Sequence, residues 1–127
     1  MKDTTEQSSY LADTYALIEL IGGNQSYLKY LNSFIATTQF NIIELYYHLI
    51  QTYDKETANR YFALYSEFIV PISPSSIKFG MKFRLKYKKE KVSYVDCVGY
   101  ALATELGIKF LTGDEKFRNK ENVEFVK

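Results

Sequence analysis

The sequence has one cysteine, two prolines, a single histidine and no tryptophan. A lone thiol, Cys97, closes no internal disulfide, so nothing in the chain requires an oxidising compartment. One histidine, His48, leaves no convincing nucleophile–base pair, which argues against covalent catalysis of the acyl-transfer kind. No apolar run approaches the roughly 20 residues that cross a bilayer. The opening MKDTTEQSS is polar and lacks the apolar core of a signal peptide. Neither charge sign dominates: the net charge of +1 excludes a strongly basic or acidic protein. Any nucleic-acid partner must therefore be met by local positive potential. The expectation from these absences is a soluble, cytoplasmic protein with no membrane partner.

What is present is globular. A chain of 127 residues falls within the usual size of one domain. Its 46% apolar and 24% charged residues argue against disorder. Residues 1–8 read as a polar N-terminal tail and 9–127 as one domain. Ser9–Ala12 is a short apolar stretch ending abruptly at Asp13-Thr14, and the helix behind it is closed by Gly22-Gly23. A second helix is expected over Gln25–Leu31 and a brief strand over Phe34-Ile35-Ala36. From Gln39 to Tyr53 the apolar residues Ile42, Ile43, Tyr46, Leu49 and Ile50 follow a helical period. Asp54 is an N-cap for the next helix, with Ala58, Tyr61, Phe62 and Tyr65 on its inner face.

Phe68-Ile69-Val70 reads as a buried strand before Pro71. Ser73-Pro74 opens a helix whose apolar positions are Ile77, Met81 and Leu85. Ser93 opens another, striped by Val95, Val98, Leu102 and Leu106 and stopped by Gly107. Ile108–Leu111 and Val123–Val126 are the last strands. Strands alternating with helices predict an α/β protein, a mostly parallel central sheet of four to five strands covered on both faces.

In such sheets ligands bind beyond the carboxyl ends of the strands, where strand order reverses. Asp13 directly follows the first strand, and Asp114 comes just after the strand ending at Leu111-Thr112. Asp96 lies in the first turn of the helix from Ser93. Glu44 is inside a helix, about a turn and a half after a strand end. Each also has an ordinary explanation as a cap, a turn residue or a solvated helix acid. Together, four carboxylates on one rim would repel and raise their pKa values unless cations neutralise them. Their hard oxygens suit Mg²⁺ or Mn²⁺.

Four segments carry a likeness: Leu11-Ala12-Asp13-Thr14, the run Thr38–Leu45, Tyr94-Val95-Asp96-Cys97, and Phe110–Phe117. In this order and separation they resemble the PIN-domain family, in particular the small toxins of the VapC type. The resemblance implies a three-layer α/β/α fold and a ribonuclease active with one or two Mg²⁺ or Mn²⁺ ions. It implies Asp13, Asp96 and Asp114 as metal ligands and Glu44 as a direct or water-mediated one. Thr112 and Thr14 would be polar neighbours that orient a carboxylate or a water. It also implies a homodimer and, for a toxin, a cognate antitoxin that blocks the site. Two positions depart from the pattern: Lys116 stands where another acid is frequent, and Cys97 where a small apolar residue is common.

The stretch 78–91 holds seven basic residues against the single acid Glu90, with Phe79, Phe83 and Tyr87 interleaved. Lys82, Arg84, Lys86, Lys88 and Lys89 are the candidate RNA-backbone contacts; the alternative is a solvated helix face with its rings in the core. His48 shares a helix face with Glu44 and is either a metal or phosphate contact or an ordinary helix histidine. Tyr27, Tyr30, Tyr46, Tyr47, Tyr61 and Tyr65 are either interface rings or core. A PIN-like module that binds RNA or a partner without cutting, and an RNA-processing nuclease that is not a toxin, are the competing readings.

Overall fold

The computed structural model describes residues 8–127, so the expected polar tail lies, Ser8 apart, outside the described residues. The chain runs β1 (Ser9–Ala12), α1 (Thr14–Gly22), a 3₁₀ helix (Gln25–Asn32), β2 (Phe34–Ala36), α2 (Gln39–Thr52) and α3 (Lys55–Ser66). It continues through α4 (Pro74–Lys86), a 3₁₀ turn (Lys88–Glu90), α5 (Tyr94–Leu106), β3 (Lys109–Thr112), a second turn (Glu115–Phe117) and β4 (Val123–Phe125). The sheet has four strands in the order β2-β1-β3-β4, each pair parallel. Among the described residues no helix is long and apolar enough to cross a membrane.

Strand periodicity divides the core in two. Ala12 and Leu111 point into a cluster with α1, α2 and α3, whereas Leu11 and Phe110 point the other way, against α5. This is the α/β/α layering expected. β1 lies between β2, reached through α1, and β3, which arrives from the far side of the chain. The order therefore reverses at the carboxyl ends of β1 and β3.

Local chemistry sets the helix boundaries. Asp13, Thr38, Asp54, Ser73 and Ser93 each accept a backbone N–H with the side chain at a helix start. Gly23 and Gly107, at φ of 77° and 72°, close α1 and α5 in the left-handed region open to glycine.

Four expectations are corrected. The segment from Gln25 is a 3₁₀ helix, with Tyr27 N–H donating to Asn24 O (2.9 Å) and Ser33 N–H to Tyr30 O (3.0 Å). Among the described residues Phe68-Ile69-Val70 makes one bridge, Thr37 to Ile69, because Pro71 has no N–H with which to extend it. On α3 only Ala58 and Tyr65 are buried, and Phe62 is exposed, its ring edge-on to Tyr46.

The fourth concerns α4. Ile77 and Leu85 are exposed, and Ser76 and Gly80 are the buried positions. A Cβ at Gly80 would lie 2.9 Å from the Cys97 carbonyl oxygen, so α4 rests directly on the backbone of α5. Close approach, and not the apolar stripe, decided which face turns inward; Phe83 then packs beside the contact, against Tyr100 and Phe117.

Gly80→Ala is thus expected to destabilise the protein, although alanine is favoured in a helix interior by about 1 kcal/mol. Overpacking against rigid backbone costs about 1–3 kcal/mol. The urea midpoint should fall, and an unchanged or higher midpoint would refute this packing.

Candidate active site

Asp13 is nearly inaccessible, at 2% exposure. Its N–H donates to Leu111 O (3.1 Å), which ties the end of β1 to β3. Its Oδ1 accepts the Ala16 N–H (2.8 Å), and its Oδ2 accepts the hydroxyl of buried Thr112. The Thr112 oxygen in turn accepts the Asp114 N–H (3.0 Å), so one threonine positions two of the acids. Asp114 Oδ1 accepts the Lys116 N–H (3.0 Å) at the start of the turn that follows.

Glu44 is exposed, but it is not a free surface acid. Thr14 donates its hydroxyl to Glu44 Oε1 (2.6 Å) while accepting from Asn41 Nδ2 (3.1 Å). Asn41 is itself buried and held by the Thr38 hydroxyl through Oδ1 (2.6 Å). This relay of polar side chains joins the N-terminus of α2 to that of α1. Sequence reasoning missed Asn41. The available signal was its place three residues after a threonine cap, on the face it shares with Ile42 and Leu45.

Asp96 sits in the first turn of α5, its N–H donating to Ser93 Oγ (3.0 Å). All four acids, with Thr14 and Ser93, line one cleft of about 480 Å³. Tyr15, Gly113, Glu115 and Lys127 complete its wall. Tyr15 and Gly113 were also missed. A Cβ on Gly113 would sit 2.1 Å from the Tyr15 ring, so the ring requires glycine beneath it.

The acids feel one another. Burial, and then the Asp96 charge, push the Asp13 carboxyl up to about 8 against the pull of its Thr112 and Ala16 bonds, with Asp114 adding to the rise. Asp96 is pushed up to about 6, by burial first and also by Asp114 and Glu44, while Ser93 and Lys116 pull it down. Carboxylates so placed disfavour their own ionisation and would be relieved by a cation. The donor set, all hard oxygens, suits a divalent ion of the Mg²⁺ or Mn²⁺ type. As they stand, no three His, Cys, Asp or Glu side chains among the described residues are arranged to hold an ion together; Asp13 has both oxygens engaged by the protein.

The other candidates lie elsewhere. His48 pairs with Thr52 (3.3 Å) and does not line the cleft. Lys82, Lys86, Lys88 and Lys89 are exposed, whereas Arg84 is half-buried over the Tyr94 ring (5.4 Å) with its Nε unbonded. Tyr27 and Tyr30 are core residues, with hydroxyls donating to Val126 O (2.5 Å) and Glu124 Oε2 (2.5 Å); Tyr65 is also buried, and Tyr47 is exposed.

The family model of the PIN domain matches residues 10–123. The chain belongs to the PIN-domain family. Solved structures similar to this PIN domain include a toxin–antitoxin complex from Klebsiella pneumoniae, at 21% identity and a TM-score of 0.74, covering 91% of this chain and 95% of that one. VapBC2 from Rickettsia felis, bound to a DNA fragment from its promoter, shares 18% identity at a TM-score of 0.72, with 93% and 97% covered. VapC20 from Mycobacterium tuberculosis, described as a toxin that cleaves the sarcin–ricin loop, shares 14% identity at 0.64, with 79% and 85% covered. No curated protein sequence matches the chain.

The raised Asp13 pKa gives the PIN domain a signed pH dependence. Between the ordinary carboxyl range and about 8, the folded metal-free protein holds a proton that the unfolded chain releases, so stability falls as pH rises through that window. Asp13→Asn keeps a cap acceptor and removes this titration. In EDTA, the melting temperature of the wild type should fall relative to the variant between pH 5 and pH 8.5; parallel curves would contradict the buried-acid assignment.

Proposed function

We propose that this PIN domain is a ribonuclease, active with Mg²⁺ or Mn²⁺, and the toxin of a toxin–antitoxin pair. The observation that carries this is the single cleft lined by Asp13, Glu44, Asp96 and Asp114 at the carboxyl ends of β1 and β3. The raised pKa values of Asp13 and Asp96 support a cation there. Likeness in fold to a toxin described as cleaving the sarcin–ricin loop supports RNA as substrate. Likeness to two toxin–antitoxin assemblies supports a cognate antitoxin. The exposed row Phe40, Ile43, Tyr47 and Ile50 along α2 supports a protein partner, whether the antitoxin or a second copy in a homodimer. The reading places the protein in the cytoplasm.

Asp13, Asp96 and Asp114 would hold the ion, with Glu44 contacting it directly or through water. When bound, the ion supplies a Lewis acid for the phosphate oxygens and a more acidic water. The protein's part is position. Thr112 fixes Asp13 and the backbone of Asp114 together, and Thr14 holds Glu44 over the cleft. Ser93 orders the first turn of α5 and so places Asp96. Lys82, Lys86, Lys88 and Lys89 would meet the RNA backbone, with Arg84 contributing charge from its half-buried position.

Among the described residues no three such side chains are arranged to hold an ion together, which also suits a PIN-like module that binds without cutting. Two measurements separate the readings. RNA cleavage by the wild type should disappear in EDTA and return with added Mn²⁺ or Mg²⁺. Asp96→Asn should lower cleavage by at least about a hundredfold and weaken Mn²⁺ binding measured by calorimetry. Undiminished cleavage by a folded Asp96→Asn protein rules out the assignment, and wild type that neither binds Mn²⁺ nor cuts RNA identifies the silent module.

A further inference from the structure

A second hollow, of about 560 Å³, lies between α4 and the segment leading into β4, and shares no lining residue with the acidic cleft. Its walls are mainly aromatic and basic: Phe79, Phe83 and Tyr87 on one side with Lys82, Lys86 and Lys120 about them, and Glu121 the one acid in the lining. The three rings, evenly spaced in the sequence, have different fates. Phe83 and Tyr87 are in mutual contact (4.8 Å), and Phe83 also meets Tyr100 (4.7 Å) and lies parallel to Phe117 (6.1 Å). Phe79 is 48% exposed and meets no other ring among the described residues.

The charges divide in the same way. Lys120 is committed, bonded to Glu90 (2.9 Å) and seated over Tyr87 (4.1 Å). Lys82 and Lys86 are exposed and in no ion pair among the described residues, although Lys86 Nζ also leans over the Tyr87 ring (5.4 Å). An unstacked ring beside two exposed ammonium groups that no carboxylate neutralises, at a hollow of this size, matches one nucleotide: a flat base and its phosphates. An acidic peptide would use the lysines and leave Phe79 idle. A duplex would keep its bases stacked away from the ring.

The hollow is close to the carboxylates. Tyr87, on its rim, is six residues before Ser93 of the acidic cleft, a span of at most about 22 Å. Lys116 Nζ donates to Lys91 O (3.0 Å), binding that connection to the turn after Asp114. A strand of a few nucleotides would bridge the two.

Resting on the ribonuclease reading above, we propose that this hollow is a subsite for one unpaired nucleotide of the RNA substrate. Its base stacks on Phe79 and its phosphates lie on Lys82 and Lys86. The test is fluorescence anisotropy in EDTA, with a short labelled single-stranded RNA and the same strand in a duplex. Phe79→Ala should weaken single-strand binding roughly tenfold, the size of one lost stacking contact, and leave duplex binding unchanged. Phe79→Trp should restore it. Lys82→Gln with Lys86→Gln should flatten the salt dependence on the single strand by about 1.4, the slope of two phosphate contacts.

Wild-type affinity in Phe79→Ala, or an equal loss on duplex, overturns the subsite. So does displacement of the RNA by polyglutamate with no Phe79 effect, which assigns the hollow to an acidic peptide. The two readings fail separately. Asp96-dependent cleavage with no Phe79 effect removes only the subsite. Phe79-dependent binding by a wild type that cuts nothing in Mn²⁺ removes only the nuclease.

Discussion

A carboxylate taken out of water must be held by donors or neutralised, and Asp13 brings that requirement to the centre of this fold. It caps α1, joins the end of β1 to β3 through its backbone, and receives the hydroxyl of Thr112. Removing it from solvent disfavours its charge, and the neighbouring Asp96 disfavours it further. The protein answers with backbone N–H groups. Asp13 is an N-cap, Asp96 lies in the first turn of α5, and Asp114 caps the short turn after β3. Three of the four acids thus sit at helix starts, where free N–H groups and the helix dipole favour negative charge. The same arrangement that lets them be assembled leaves them short of positive charge, which is what a cation would provide.

The layers around the sheet serve this rim. On one side α1 and α2 are joined at their starts by Thr38, Asn41, Thr14 and Glu44, so the approach of two helices also delivers an acid. On the other, α4 closes onto α5 at Gly80, and α5 carries Asp96. The aromatic cluster of Phe83, Tyr100, Phe110 and Phe117 fills the space that this contact leaves. It also supports the turn between Asp114 and β4, so the acidic cleft and the aromatic hollow rest on one packed layer.

Much of this was legible in the chain because it depends on short-range chemistry. The caps at Asp54, Ser73 and Ser93, the stops at Gly23 and Gly107, and the acids following β1 and β3 are local, and each is found where sequence reasoning set it. Glu44 was legible only through family likeness, since its tie to Thr14 spans thirty residues. Asn41 escaped notice because a buried amide is identified by its partners, and one of its two threonine partners, Thr14, begins a different helix. The inner face of α4 was misassigned for a related reason. Hydropathy favours Ile77 and Leu85, but a helix packed on backbone needs its smallest residues at the contact.

The acids that follow β1 and β3, the alternation that builds a parallel sheet, and the basic aromatic stretch before Ser93 are properties of the sequence alone. They follow from periodicity and from the few residues that can start or stop an element. Only the tertiary structure decided that the acids face one cleft, that Thr112 serves two of them, and that Phe79 remains free while Phe83 and Tyr87 are taken into packing. Those outcomes depend on which segments, distant in the chain, come within a few ångströms of each other. Strand order and helix approach set that distance, and neither is written in any local stretch of residues.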